Sequence, residues 1–539
     1  MEIRKLLVAN RGEIAARIFR ACREAAIGTV AVAAPDDRGA FHTRHADETV
    51  EIQGYLDSGE HVRAAKASGA DAIHPGYGFL AENAGFAEAV EAAGLVFVGP
   101  TPDALRQGGD KLEAKRIAAE AGVPTLPAGE PGDIGFPLVV KAAAGGGGRG
   151  MRVVRDSAQL EDAIAAARRE AKAAFGDDRV YCERFVERPR HVEIQILGDE
   201  HGTVLSLGER ECSIQRRHQK VLEESPSPAL DRELRARMSD AAVAFGRALG
   251  YRSAGTVEFM LDGRDFYLLE LNGRIQVEHP VTELVTGIDI VQEQLLVAAG
   301  ERLNAEPQFD GNAIEVRLYA EDPRTFLPQA GRVERLRLPT GIRVDAGVDE
   351  GDEVGVAYDP MIAKLIAHGP TRDEALLRLQ DALAETVVEG LTTNLPFLRW
   401  LVAHPAVRAG RTTTAFLSEY APLSAPPVCL PSGPWDGAWR MNLPAPAPHT
   451  PPNVDELSHA ASGPSGGVQS ALTAPMPGTV IKVLAAPGDH VEPHQTLLVL
   501  EAMKMETPVA SPYAGTVKAV HVAEGDRVAG GAVLVELDE

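Results

Sequence analysis

Short apolar runs alternate with amphipathic stretches from the first residues of the chain. IRKLLVA (residues 3–9) predicts a buried strand, GEIAARIFRACREA an amphipathic helix, and IGTVAVAA a second strand. The alternation continues through DAIHPGYGF, the helical ENAGFAEAVEAAG and the strand LVFVG. Such repetition predicts a parallel, Rossmann-like α/β sheet over residues 1–110. It contains no GxGxxG, so no dinucleotide site is expected there.

Residues 111–310 follow as a mixed α/β region, and residues 311–421 as an α+β unit. The pattern then fails. Residues 422–470 are rich in Pro, Ala, Ser and Gly, cannot pack a core, and predict a semi-extended linker. Order returns at 471–539 as short apolar runs separated by glycine turns, and this tail repeats itself. Gly478-Thr479-Val480 recurs as Gly515-Thr516-Val517, Gly488-Asp489 as Gly525-Asp526, and Val491 as Val528, each 37 residues later. Two similar β-halves are predicted.

Lys504 lies between those halves, in EAMKMETPV (residues 501–509), where a hairpin must join them. The plainer reading is a solvated lysine beside two gap-filling methionines. However, Met503 and Met505 are not at core-stripe spacing, and a residue at a hairpin tip projects outward. A protruding lysine on a small tethered domain suits a covalently modified carrier arm.

Composition narrows the partners. The 539 residues include 77 acidic and 54 basic side chains, a net charge of −23, which argues against nucleic acid or anionic membrane. Aromatics at 5% argue against base-stacking platforms. Cys22, Cys182, Cys212 and Cys429 are scattered without a CxxC pair, as expected in a reducing compartment. With no signal-peptide core and no membrane-length apolar run, a soluble cytoplasmic protein is expected.

Three stretches carry the unusual chemistry. In VVKAAAGGGGRGMRVV (139–154), Gly145, Gly146, Gly147 and Gly148 let backbone amides approach a polyphosphate and let the loop move as a lid, with Lys141 beside it. In GERECSIQRRHQKVLEE (208–224), Arg216, Arg217, His218 and Lys220 form a basic cluster, read either as a solvated face or as an internal anion site. In GTVEFMLDGRDFYLLELNGRIQVEHPVTE (255–283), Glu258 and Glu270 fall on adjacent predicted strands, with Asn272 on the face of Glu270. Two carboxylates and an amide oxygen are hard ligands suited to Mg²⁺ beside phosphates. Arg274, Gln276 and Glu278 continue at period two, so all three are expected to point into one cavity. A guanidinium holds a small oxyanion, and a carboxylate beside it takes up a proton.

These residues carry a resemblance. VANRGEIAARI, HPGYGFLAEN, GGGGRGM, RHVEIQ, QRRHQK, LNGRIQVEHPVTE, RLYAEDP and YDPMIAKL occur in the order of the biotin carboxylase component, an ATP-grasp enzyme. Residues 474–478 (APMPG) and the AMKM at 502–505 resemble the biotinyl domain of biotin-dependent carboxylases. The resemblance implies a Rossmann-like pre-ATP-grasp domain, an ATP-grasp domain with a Gly-rich lid (about 131–204), a biotin carboxylase C-terminal domain and a flattened β-barrel or sandwich biotinyl domain. It implies biotin on Lys504, ATP, Mg²⁺ (or Mn²⁺), and bicarbonate as substrate, reacting through carboxyphosphate. By the same resemblance Lys111 and Lys141 meet nucleotide phosphates, and Glu183 lies in the adenine-binding segment. His191, Gln215 and His218 belong to the nucleotide pocket, and Glu258, Glu270 and Asn272 hold metal. Lys220, Arg274, Gln276 and the Val277 backbone bind bicarbonate. Glu278 is the base, and Arg317 stabilises charge on the biotin ureido oxygen.

The domain order resembles the α subunit of an acyl-CoA carboxylase for acetyl- or propionyl-CoA. It implies a separate carboxyltransferase β subunit, a biotin protein ligase and a homo-oligomer as partners. Another ATP-grasp ligase and a catalytically decayed carrier are the rival readings. Two departures from the family pattern stand out: Gly273 replaces the usual Thr, and the stretch between Gly122 and Pro137 is short. The bare glycine is expected to hold metal and bicarbonate more loosely, so that threonine at this position leaves turnover unchanged or higher.

Overall fold

The computed structural model describes residues 2–143, 151–216, 219–355, 357–424, 471–474, 478–493, 495–502, 505–528 and 531–538. Its first sheet has five strands, ordered Glu48–Glu51, Gly28–Ala33, Lys5–Val8, Ala72–His74 and Val96–Phe97. Every neighbouring pair is parallel, as the alternation predicts. Helix Gly12–Glu24 buries Ile14, Ile18, Phe19 and Cys22 against this sheet. Helix Ser58–Ser68 starts where the Asp57 side chain accepts from the Glu60 amide, and ends at Gly69 with φ +69°. The strand Glu48–Glu51 escaped the sequence reading because it is a mostly exposed edge with no apolar run.

The catalytic body is built on one eight-stranded sheet. Its order is Asp265–Asn272, Ser253–Asp262, Arg190–Gly198, Val204–Arg216, Gln219–Ser225, Asn312–Tyr319, Met361–Gly369 and Arg343–Ala346, with antiparallel neighbours throughout. The boundary expected at residue 310 therefore crosses a continuous sheet, because Gln219–Ser225 pairs directly with Asn312–Tyr319. A second adjustment concerns the lid. Its own four-stranded sheet, ordered Ala128–Gly129, Val180–Arg184, Leu138–Ala142 and Arg152–Val154, is covered by helix Leu160–Phe175. Arg190–Gly198, placed by sequence inside a lid reaching residue 204, lies in the middle of the large sheet. The glycines 145–148 fall outside the described residues, as does the linker from 425 to 470.

The tail forms two four-stranded sheets, and the sequence repeat becomes a two-fold exchange. His490–Val491 of the first half pairs with Gly515–Val520 of the second, while Arg527–Val528 of the second pairs with Gly478–Val483 of the first. The equivalences extend to single bonds. Gly488 N donates to Val517 O and Gly525 N to Val480 O, both at 2.7 Å, with φ near +97° and +94° at the two glycines. Asp489 and Asp526 each accept the amide three residues earlier at 2.8 Å, closing matching turns. Val480, Val491, Leu497, Leu498, Val517, Leu534 and Leu537 fill the space between the sheets. The predicted hairpin is present: Thr496–Ala502 pairs with Met505–Ala510 up to Ala502 opposite Met505. Lys504 itself falls outside the described residues.

At the end of strand Ala72–His74, His74 is fully buried, with Nε2 3.2 Å from Gln294 Oε1 and Nδ1 accepting the Gly76 amide at 3.0 Å. Burial lowers its pKa to about 4, the Gln294 bond only partly opposing this. The unfolded chain therefore binds a proton near pH 6.5 that the fold refuses until about 4, so stability falls as pH drops through that window. His74→Gln should lose up to about 3 kcal/mol less stability than the parent between pH 7.5 and 4.5. Unfolding midpoints of both proteins at the two pH values measure the difference; equal shifts would contradict the assignment.

Candidate active site

The pleat of the large sheet gathers charges that would normally face water. Glu193 on Arg190–Gly198 stands opposite Glu258 on Ser253–Asp262, and Glu258 stands opposite Glu270 on Asp265–Asn272. Lys220, on the far side of the hairpin from Gln215, extends its ammonium into this row. It is buried and bonded to Glu193, to Glu258 Oε1 at 2.8 Å and to Glu278 Oε1 at 2.5 Å. Three carboxylates outweigh burial and hold Lys220 well above the ordinary lysine range. In turn Lys220, with His191 at 3.2 Å, holds Glu258 well below the carboxylate range despite burial. His191 itself rises to about 9, because Glu258 outweighs its desolvation.

Glu278 closes the chain. Its second oxygen accepts from Arg317 Nη2 at 3.0 Å, and Arg317 Nε donates to Glu223 Oε1 at 2.7 Å. Burial would raise Glu278, but Lys220 and Arg317 bring it below its ordinary value. Glu223 goes the other way, to about 7, since burial and the nearby Glu278 exceed the pull of Arg317. Across the strand from Glu223, Glu315 has neither oxygen hydrogen-bonded, and burial pushes its pKa well above the ordinary carboxyl range. Beneath the row sits Arg210, fully buried, with five hydrogen bonds: to Glu193, Gln195, Thr256, Gln276 and Thr282, at 2.6–3.1 Å. Lys364, also fully buried, donates to the Val277 carbonyl at 2.8 Å and fixes that peptide.

The metal set fits a divalent cation. Glu258 and Glu270 face each other in register, and Asn272 follows two residues on. Burial, with Glu258 alongside, raises Glu270, and Lys111 at 3.5 Å offsets this only in part. A carboxylate pair so arranged needs added positive charge. His191, Glu193 and Glu258 also bring ligand atoms within 4.8 Å of one another, as do Glu193, Cys212 and Glu278. There Lys220 already supplies the cation, and burial keeps the Cys212 thiol protonated.

Not every sequence expectation survives. The strand stops at Asn272, so the period-two reading of Arg274, Gln276 and Glu278 loses its basis. Gln276 and Glu278 do converge on the Lys220 pocket, Gln276 Nε2 donating to Glu258 at 3.0 Å. Arg274 instead lies at the rim, bonded to Glu82 at 3.1 Å and Asn272 Oδ1 at 2.9 Å. The basic cluster also splits: Arg216 pairs with Glu321 while Lys220 turns to the acidic row, and Arg217 and His218 fall outside the described residues. Gln215 donates to the Cys212 carbonyl at 2.9 Å. Lys141 and Lys115 both reach the buried Glu183, the former at 2.5 Å. Sequence reasoning missed Glu193, Arg210, Glu223, Lys115, Glu82 and Lys364. The alternation of Glu193 and Gln195 in RHVEIQ was the one available signal.

Facing carboxylates beside lysines, under a small lid sheet, define an ATP-grasp ligase. The chain belongs to the biotin carboxylase family. Residues 2–105 match "Biotin carboxylase, N-terminal domain", 110–306 "Carbamoyl-phosphate synthase L chain, ATP binding domain", 315–419 "Biotin carboxylase C-terminal domain" and 470–537 "Biotin-requiring enzyme". It is 47% identical over 472 residues to the propionyl-CoA carboxylase alpha chain of Ruegeria pomeroyi, covering 79% of this chain and 69% of that one. With the human mitochondrial propionyl-CoA carboxylase alpha chain it shares 38% identity over 666 aligned positions, 99% of this chain and 91% of that one. Among solved structures, the biotin carboxylase domain dimer of Hydrogenobacter thermophilus 2-oxoglutarate carboxylase, with MgADP, ADP and bicarbonate, has a TM-score of 0.76 and 42% identity. That match covers 78% of this chain and 98% of that one.

Gly273 is packed closely against its neighbours. Its amide donates to Glu82 at 3.0 Å, and a Cβ there would stand 2.9 Å from Leu105 Cδ2. Leu105, 5% exposed on helix Pro102–Gly109, fills the missing side chain's place. The packing is reciprocal, since a Cβ on Gly108 of that helix would stand 2.8 Å from Leu271. Gly273→Thr should therefore destabilise by about 1–3 kcal/mol and lower turnover, contrary to the sequence expectation. Adding Leu105→Ala should recover part of both. Melting temperature and ATP turnover of the three proteins decide it, and unimpaired Gly273→Thr would refute the packing argument.

Proposed function

We propose that this chain uses ATP and bicarbonate to carboxylate biotin held on its own Lys504, and passes the carboxyl group to a separate carboxyltransferase subunit. The buried junction of Lys220, Glu278 and Arg317 beside the Glu258–Glu270 pair supports this reading most directly. Lys111 and Lys141 meet nucleotide phosphates, Glu183 lies by the adenine, and His191, Gln215 and His218 complete the pocket. Held by Glu258, Glu270 and Asn272, Mg²⁺ would neutralise phosphate charge.

Lys220, Arg274, Gln276 and the Val277 backbone receive bicarbonate. Both cations on Glu278 are groups that an arriving anion competes for. Bicarbonate beside Lys220 shares that ammonium, loosens its grip on Glu278 and so raises the carboxylate's affinity for a proton. The base strengthens when its substrate arrives. With its proton taken by Glu278, bicarbonate would attack the γ-phosphorus of ATP, releasing ADP. The resulting carboxyphosphate would split into CO₂ and phosphate. Biotin, when bound, would supply the ureido nitrogen that gives its proton to that phosphate and takes up the CO₂. Arg317, kept in place by Glu223, offers a permanent charge to the ureido oxygen.

Acetyl- or propionyl-CoA is the proposed final acceptor, on the partner subunit, with a biotin protein ligase loading Lys504. Association through the carboxylase body gives a homo-oligomer. A cytoplasmic setting accords with Cys22, Cys182 and Cys212, which are free and buried. Among the described residues no helix is long and apolar enough to cross a membrane. The linker keeps the carrier at roughly millimolar local concentration while letting it visit two sites.

ATP hydrolysis by the purified chain should depend on bicarbonate and rise with free biotin. Glu278→Gln should lower it by about 100-fold or more. Lys504→Ala should lose one biotin by intact mass yet keep the free-biotin reaction. Turnover indifferent to bicarbonate would favour another ATP-grasp ligase, and a biotinylated chain without turnover a carrier alone.

A further inference from the structure

The lysines around the nucleotide site are more numerous than the motifs account for. Glu183 is wholly buried on strand Val180–Arg184 and is held from two sides. Lys141, on the lid strand Leu138–Ala142, donates to Oε2 at 2.5 Å; Lys115, on helix Lys111–Glu120, reaches Oε1. One helical turn before Lys115, on the same helix face, Lys111 lies 3.5 Å from Glu270. Three lysines thus meet two carboxylates, with lysine side chains only 10–16% exposed. Lys115 lies 5.5 Å from the centre of the Tyr181 ring, which shields it further from water.

We propose that Lys115 is a positioning residue that frees Lys141 for the nucleotide, an inference that rests on the ATP-site reading above. While Lys141 alone neutralises Glu183, a phosphate must compete with that carboxylate for its ammonium. If it left, Glu183 would be a buried carboxylate without a counter-charge, a strongly unfavourable state. Lys115 removes that obstacle by remaining on Glu183 from the opposite side. The helix divides its two lysines between Glu270 and Glu183, and the lid strand contributes the one that changes partner. Lys115 touches the nucleotide at no point in this scheme. Without it, Glu183 keeps Lys141 and the phosphate site loses a cation.

Calorimetric titration of MgADP into the full chain, with ATP kinetics alongside, tests this. Lys115→Met should weaken MgADP by about tenfold or more and raise the KM for ATP in step, with kcat at saturating ATP within about twofold of the parent. Lys115→Arg should bind close to the parent. Once Glu183 is neutral, Lys115 should no longer matter: Glu183→Gln and Lys115→Met/Glu183→Gln should bind MgADP within about threefold of each other. The double variant removes both members of the Lys115–Glu183 pair, and its comparison with Glu183→Gln carries the test should Lys115→Met alone fail to fold. Parent-like MgADP affinity in Lys115→Met, or a loss of kcat alone, would overturn the proposal. So would an effect of Lys115→Met undiminished in the Glu183→Gln background. A parent chain that binds no MgADP would remove the ATP-site reading, and this inference with it.

Discussion

The active site depends on one buried guanidinium. Arg210 has five N–H donors and uses all of them inside the protein: on two residues of strand Arg190–Gly198, one of Ser253–Asp262, one of the loop at Gln276 and one of helix His279–Thr286. A buried arginine is tolerated only when its charge and every donor are satisfied. That requirement runs in both directions. The guanidinium fixes Glu193 and Gln276, and these two then orient Lys220 and Glu258. From there the signs alternate through Glu278 and Arg317 to Glu223. The chain ends in two carboxyls that burial pushes upward, Glu223 to about 7 and Glu315 well above its ordinary value. The two carboxyls with raised proton affinity thus sit at the end of the row, Glu223 bonded to Arg317 and Glu315 across the strand from it.

The same economy explains what could be read from the letters alone. Glu258, Glu270 and Asn272 were legible because strand periodicity puts them on one face, and the register confirms the pairing. The parallel first sheet was legible because its strands are apolar. Strand periodicity could not place Arg274, because the strand ends at Asn272; its position is set by Glu82 and Asn272 in the loop that follows. Arg210 and Glu193 were passed over for a different reason: charges alternating along a strand usually mark a wet face. Here that face is covered by helix His279–Thr286 and the Gln276 loop, which are distant in sequence. Lys115 looked like any lysine on an amphipathic helix. The continuity of the large sheet across residue 310 was equally hidden, since strand partners between Gln219–Ser225 and Asn312–Tyr319 are set by tertiary packing.

Gly273 shows how packing from another element can stand in for a side chain. Read as a letter, a glycine among ligands suggests slack. In the fold its amide is bonded to Glu82, and Leu105 occupies the space a side chain would take. What is lost locally is supplied by a residue on another element, and the reciprocal contact of Gly108 with Leu271 gives that element its close approach. The loop after Asn272 is held by packing and by Glu82 together.

The carrier domain is interlocked. Each half places a short strand in the sheet of the other, so the two are linked like clasped hands rather than stacked like tiles. Loosening one half strips an edge from its neighbour, and the module yields as a whole or stays intact. A shuttle drawn repeatedly between two destinations experiences uneven tugs at its loaded end and at its leash. An interlocked body transmits such a pull without opening a seam, and it arrives at each destination in the shape it left the last.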